Sequence, residues 1–194
     1  MWTRQIFGID SYHVIQWFLI YSILGWCVES AHMSICSRKL VNRGFVKGPI
    51  CPIYGFGALG VYFMLQPFEG HYALLYICGA VAATAFELLV AKVMLILFGQ
   101  VWWDYTDKPY NYKGIICLES TVAWGFYTVF MFGFLQRIVE QIANSYSYHH
   151  GIMVGSLIIL AFSIDLGRSL YLAKKDAIPY TIEDIKEVIF SKIY

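Results

Sequence analysis

The sequence predicts an all-α fold, an integral membrane bundle of about five transmembrane helices closed by a short amphipathic C-terminal helix. Three observations predict it. Hydrophobic residues make up 59% of the chain and charged residues only 14%, where a soluble domain carries about a quarter charged. Mean hydropathy is +0.59. The apolar residues also come in runs near the length of about 20 that a membrane span requires.

The spans are read in order. Tyr12 to Ile35 is the first. It is taken as a span rather than a cleavable leader, because it is too long, carries Glu29 and lacks a small-residue cleavage site. Ile53 to Gln66 is shorter and glycine-rich and follows Pro49 and Pro52, so a tilted, broken or re-entrant path is the alternative to a full crossing. His71 to Phe98, Ile115 to Gln136 and Gly151 to Ala173 complete the set. Residues 1–175 thus form the transmembrane domain and 176–194 a cytoplasmic tail. In that tail Thr181 can cap a helix, with Asp184 three residues on, and Ile182, Ile185, Ile189 and Ile193 fall near one face. No internal repeat or low-complexity segment is visible.

Charge placement decides the topology. With five spans and the C-terminus in the cytoplasm, eleven of the fourteen lysines and arginines lie inside, as the positive-inside bias requires. Only Arg4 and Arg137 lie outside, and Lys92 sits within a helix. A re-entrant 53–66 segment would split the basic residues between the two sides. Multi-pass residence in the cell membrane, with the bilayer as the first partner, is therefore the expectation. Aromatic residues reach 18% and cluster near span ends, as interfacial belts do.

Several functions are excluded or disfavoured. A net charge of +1 with no basic run gives no basis for binding nucleic acid. The five cysteines form no CxxC pair and no metal-ligand spacing with histidine, so no metal is expected and the thiols read as small buried hydrophobes rather than a disulfide framework. Gly55-Phe56-Gly57-Ala58-Leu59-Gly60 formally matches GxGxxG, but it opens an apolar helix and lacks the preceding strand and following acid of a dinucleotide site. Close helix packing is the better reading. No GxxxxGK[ST], HExxH or GxSxG occurs, so no cofactor is expected and the chain does not hydrolyse ATP by itself.

Ionisable groups within a span cost roughly 2.5–3.5 kcal/mol on insertion scales, so each needs a reason. Ser22, Trp26, Glu29, His32 and Cys36 form a polar stripe in the first span. Gly79, Ala83, Glu87 and Ala91 recur every four residues in the third, a small-residue seam that lets another helix approach closely. The fourth opens Cys117, Glu119, Ser120, and the fifth carries Asp165 with Arg168 one turn later. At about 1.5 Å per residue, Glu29, Glu87, Glu119 and Asp165 all fall in the cytoplasmic leaflet. Two readings stay open. One is structural, with the acids paired to Arg43, Lys92, Arg168 or His32. The other is a substrate or ion site. Asp165 and Arg168 fit the structural reading better.

Two cytoplasmic loops stand out. Asn42 to Gly55 combines two prolines, glycines and basic residues and cannot be regular helix. Trp102-Trp103-Asp104-Tyr105-Thr106-Asp107-Lys108-Pro109-Tyr110-Asn111 is dense in rings. It is either an interfacial belt or, with Asp104 and Asn111 alternating with aromatics, a recognition surface.

Together these loops carry a resemblance. Gly25-Trp26 with Glu29, Asn42-Arg43-Gly44-Phe45, Gly48-Pro49 and Cys51-Pro52-Ile53-Tyr54-Gly55 come first. Glu87, Phe98, Trp102-Trp103-Asp104-Tyr105, Asn111, Gly114, Cys117-Leu118 and Trp124-Gly125 follow. Over roughly residues 15 to 135 the chain resembles the type IV ABC-transporter permease family of bacterial membrane proteins. There are two departures: Leu95 stands where an acid is expected after Glu87, and Ile115 where an arginine is expected after Gly114. The resemblance implies a permease subunit that pairs with a separately encoded ATPase and forms a homodimer. The rival readings are an intramembrane enzyme acting on a lipid or lipid-linked anion, and a non-catalytic scaffold. The candidate substrate or ion residues are Glu29, Asn42, Arg43, Glu87, Asp104, Tyr105, Asn111, Glu119, Ser120 and Asp165.

Overall fold

In the computed structural model, residues 2, 4–42, 44–99 and 101–176 are described. The amphipathic tail expected beyond residue 176 and Arg43 lie outside them. Five helices dominate: α1 (Ser11–Ser37), α2 (Pro52–Leu65), α3 (Tyr72–Phe98), α4 (Leu118–Asn144) and α5 (Tyr148–Asp176). Two short hairpins accompany them, β1 (Gln5–Ile6) with β2 (Ile9–Asp10) and β3 (Asn111–Tyr112) with β4 (Ile116–Cys117). The fold is all-helical in character, as expected. Four helices, α1, α3, α4 and α5, are long and apolar enough to cross a membrane. At 14 residues, α2 spans about 21 Å, short of a hydrocarbon core of about 30 Å.

The described residues divide into two compact units, one drawn from 1–64 and 132–170, the other from 65–131 and 171–176. In the first, Phe7 and Gly8 take left-handed backbone (φ 50° and 84°) at the turn of β1 and β2, as a tight hairpin requires. Asp10 then caps α1 by accepting the His13 backbone N–H at 3.0 Å. The core of this unit holds Trp17, Tyr62 and Phe132, with Tyr62 stacked on Phe132 at 5.5 Å. Polar side chains tie its helices inside the apolar mass. Tyr21 donates to Gln136 at 2.7 Å, and Gln16 donates to the Gly151 carbonyl at 2.9 Å.

In the second unit α3 packs on the first half of α4. The seam read in the sequence is where they meet. A Cβ on Gly79 would fall on the Thr128 side chain, and one on Gly125 would meet the Tyr76 ring. Below them Ala91, Leu95 and Ile115 form a buried cluster with Trp103 and Leu88 packed against it.

Four expectations are corrected. The fourth helix starts at Leu118 rather than Ile115, because Ile116 and Cys117 pair as β4 and Cys117 caps the helix. It also runs on to Asn144, since Val139 and Ala143 bury on one face of an otherwise polar segment. The Asn42–Gly55 stretch is loop only as far as Cys51, with Pro52 starting α2, a position where its missing N–H costs nothing. Of the cysteines only Cys117 is buried, while Cys27 and Cys36 are exposed and all five thiols are free. The GxGxxG run lies inside α2 as expected, with Gly55 against Phe18 and Ser22 of α1.

Candidate functional site

Each unit contains a carboxylate in an apolar helix held by donors from the segment that follows. In the second unit the carboxylate is Glu87, 8% exposed. Tyr105 donates to its Oε1 at 3.0 Å and the Trp124 indole to its Oε2 at 3.1 Å. The Ser120 hydroxyl stands 3.4 Å from the same Oε2 and 3.0 Å from the Cys117 carbonyl. Thus α3, the 99–117 loop and α4 converge on one side chain.

Local sequence explains the convergence. Gly99 (φ 67°) ends α3 in left-handed backbone, so the chain turns at once into the aromatic loop. Trp103 anchors that loop by donating to the Ile115 carbonyl at 2.8 Å, and the Tyr105 backbone N–H bonds Gly114 at 2.9 Å. Asp104 closes a turn by accepting both the Thr106 N–H, at 2.9 Å, and its hydroxyl. Asn111 braces the loop, donating to the Lys108 carbonyl at 2.8 Å and accepting the Gly114 N–H at 3.0 Å. Cys117 and Ser120 then form a reciprocal cap on α4, with a thiol where Ser or Thr is usual. Glu119, in that first turn, pairs with Lys108 at 2.9 Å. Glu119's hydrogen bond and charge hold the exposed Lys108 above the ordinary lysine value.

In the first unit the carboxylate is Glu29, half-buried, which accepts the Tyr54 hydroxyl. The loop beside it is bolted to α1. Trp26 donates to Asn42 at 2.6 Å, Asn42 donates to the Lys47 carbonyl at 2.6 Å, and the Cys51 N–H bonds the Ser22 carbonyl at 3.0 Å. From α5, Asp165 accepts the Gly48 N–H at 2.7 Å.

The four leaflet acids therefore fall into two units, Glu29 and Asp165 in one, Glu87 and Glu119 in the other. Arg43 lies outside the described residues, and the three other anticipated partners do not pair with the acids. Among the described residues no ion pair joins an acid to Lys92, Arg168 or His32, and His32 instead lies 3.7 Å from Cys36. Glu119 pairs instead with Lys108, while Glu87 takes aromatic and hydroxyl donors, Asp165 a backbone N–H, and Glu29 a phenol. For Glu87 such donors satisfy the carboxylate without burying a second charge. Sequence reasoning ranked Glu87, Tyr105 and Ser120 as site residues, and the structure brings these three together. It passed over Trp124, Tyr54 and Trp26 as ligands of the acids and their loops. Trp124 stands one turn beyond Ser120 on the same helix face, the spacing that signals a shared partner.

No curated protein and no solved structure matches this chain. The family described as "Putative ABC-transporter type IV" matches residues 16–170, a stretch that takes in both loops and all four acids. By that match across most of its length, the chain belongs to this ABC-transporter type IV family.

Proposed function

We propose that the chain is the membrane-spanning permease subunit of an ABC-type transporter. In this reading α2 crosses as a fifth span, the C-terminus is cytoplasmic, the ATPase is a separate polypeptide and the permease works as a homodimer. The polar residues Glu29, Asn42, Arg43, Glu87, Asp104, Tyr105, Asn111, Glu119, Ser120 and Asp165 form its cytoplasmic-leaflet machinery.

One observation carries the reading beyond family membership. Glu87 is a carboxylate buried in the most apolar of the four long helices, with three donors arranged around it. Packing alone does not call for such a group, since small apolar residues would close the α3–α4 seam at lower cost. Acids in spans mark substrate or ion pathways.

Affinity purification of the tagged chain in mild detergent tests the partnership. An ATPase subunit is expected to co-purify, and its absence under conditions that preserve the dimer would overturn the reading. In the purified complex, Glu87→Gln is expected to abolish coupling of transport to ATP hydrolysis while leaving assembly intact. If that variant fails to assemble, Glu87 is a packing residue and the site assignment falls.

A further inference from the structure

The two units repeat one design that the sequence alone does not reveal. Lys47-Gly48-Pro49-Ile50-Cys51 and Lys113-Gly114-Ile115-Ile116-Cys117 share four of five residues. Five residues mean little by themselves, but their positions correspond. Each stretch ends a loop that follows a 27-residue helix whose last turn is stopped by left-handed backbone, at Arg38 (φ 52°) and Gly99 (φ 67°). Each cysteine is the residue directly before the next helix. Each loop contains an asparagine, Asn42 or Asn111, that donates to a carbonyl of its own loop. Each glycine N–H, of Gly48 or Gly114, donates to a side-chain oxygen.

The helix crossings correspond as well. In the first unit Gly25 of α1 faces the Tyr54 ring of α2, and Gly55 of α2 faces Phe18 and Ser22 of α1. In the second, Gly79 of α3 faces Thr128 of α4, and Gly125 of α4 faces Tyr76 of α3. The long helix and its successor thus exchange one glycine each in both units. The offset between the crossings is regular. Gly25 precedes Glu29 by four residues and Gly55 follows Cys51 by four, whereas Gly79 precedes Glu87 by eight and Gly125 follows Cys117 by eight. The second crossing lies about one helical turn further from its loop on α4 than on α2, and about two turns further on α3 than on α1. The turns themselves differ: Lys113 and Gly114 take left-handed backbone where Lys47 and Gly48 do not.

We infer that α1–loop–α2 and α3–loop–α4 are tandem copies of one module, each with a carboxylate in its long helix that accepts a hydrogen bond from a phenol. The phenol is Tyr54 of α2 for Glu29 and the loop's Tyr105 for Glu87. Ser120, three residues past its cysteine as Tyr54 is, stands 3.4 Å from Glu87. A carboxylate met by a neutral phenol offers its negative charge to a proton or a cationic group, so the ligand class is positive or proton-donating. Direct tandem copies demand that α2 cross the membrane, because only an even number of crossings per module returns both loops to one face. Which face that is does not matter to the repeat. The permease reading needs it to be cytoplasmic, so the two proposals can fail separately.

The test labels single cysteines in a variant whose five natural cysteines are replaced, with Cys117→Ser keeping a hydroxyl cap on α4. Lys47→Cys and Asp107→Cys, both at exposed positions, are treated with a membrane-impermeant maleimide in right-side-out and inverted vesicles. Labelling from one and the same side is expected, and labelling from opposite sides would overturn the repeat. If the cysteine-free chain does not fold, two double-mutant cycles in the natural background serve instead. Tyr54→Phe with Glu29→Gln and Tyr105→Phe with Glu87→Gln are each expected to lower the melting temperature no further than the single change does. Additive losses in either cycle would show that its pair is not a site.

Discussion

Glu87 accepts hydrogen bonds from Tyr105 and Trp124 with Ser120 close by, and this sets what each donor is worth. A hydrogen bond to a charged group contributes about 1.5–3 kcal/mol, and a buried acceptor left unmet costs the same order. Trp124→Phe is therefore expected to destabilise the chain by about 2 kcal/mol, read as a lower unfolding midpoint in detergent. Because Tyr54 meets Glu29, which is only half-buried, Tyr54→Phe is expected to cost less in the same measurement. Lys108→Gln should change almost nothing at ordinary salt, since exposed pairs contribute about 0–1 kcal/mol. At the other end of α1, burial raises the Asp10 carboxyl, but the His13 backbone and ring hydrogen bonds and the attraction to that ring outweigh it and hold Asp10 below its usual 3.8. A depressed acid contributes stability that is present above 3.8 and lost as pH falls through its lower folded value. The melting gap between wild type and Asp10→Ala should thus close under strong acid.

At the scale of the elements, the glycines decide how closely helices cross. A Cβ at Gly79 would fall on Thr128, whereas one at Gly60 would meet nothing within 4 Å. Gly79→Leu is therefore expected to separate α3 from α4 and to lower the yield of folded protein, while Gly60→Ala should be neutral or slightly stabilising through its lower unfolded-state entropy. Recovery of monodisperse protein on gel filtration distinguishes the two.

Much of this layer was legible in the sequence. The apolar runs located α1 and α3 to within two residues, and the four-residue spacing of Gly79, Ala83, Glu87 and Ala91 named the face that α4 covers. The second half of α4 was not legible from hydropathy, because Gln136, Arg137, Glu140, Gln141 and Asn144 end the apolar run while the helix continues. Nor were the partners of Glu87 and Glu29, since a search for opposite charges passes over an indole or a phenol. Cys117 as a helix cap was hidden for a similar reason, a thiol standing in the place of the usual hydroxyl.

For the whole molecule, the 14-residue α2 is the element on which topology turns. If it crosses, Glu69→Cys, in the exposed 66–71 connection, reacts with an impermeant maleimide from the side opposite to Lys47→Cys. Reaction from the same side would make α2 re-entrant and reverse every later loop. A crossing of about 21 Å also predicts that the bilayer thins or the flanking aromatics reach inward around this helix, at fractions of a kcal/mol per Å of mismatch. Met131 to Leu135 of α4 forms a π-turn, and the division between the two units falls between Met131 and Phe132. Such a turn bonds i to i+5 and so holds one residue more than the α-helix around it. The turn takes up that surplus residue locally, and the segment after it carries Gln136, which meets Tyr21, and Asn144, whose Oδ1 lies 3.0 Å from the His13 ring. Deleting Gly133 would therefore let the turn close as regular α-helix with both contacts kept, whereas deleting Ile138, where no surplus residue exists, would rotate Asn144 about 100° away from the face that Gln136 shares, a lesion of phase rather than of composition.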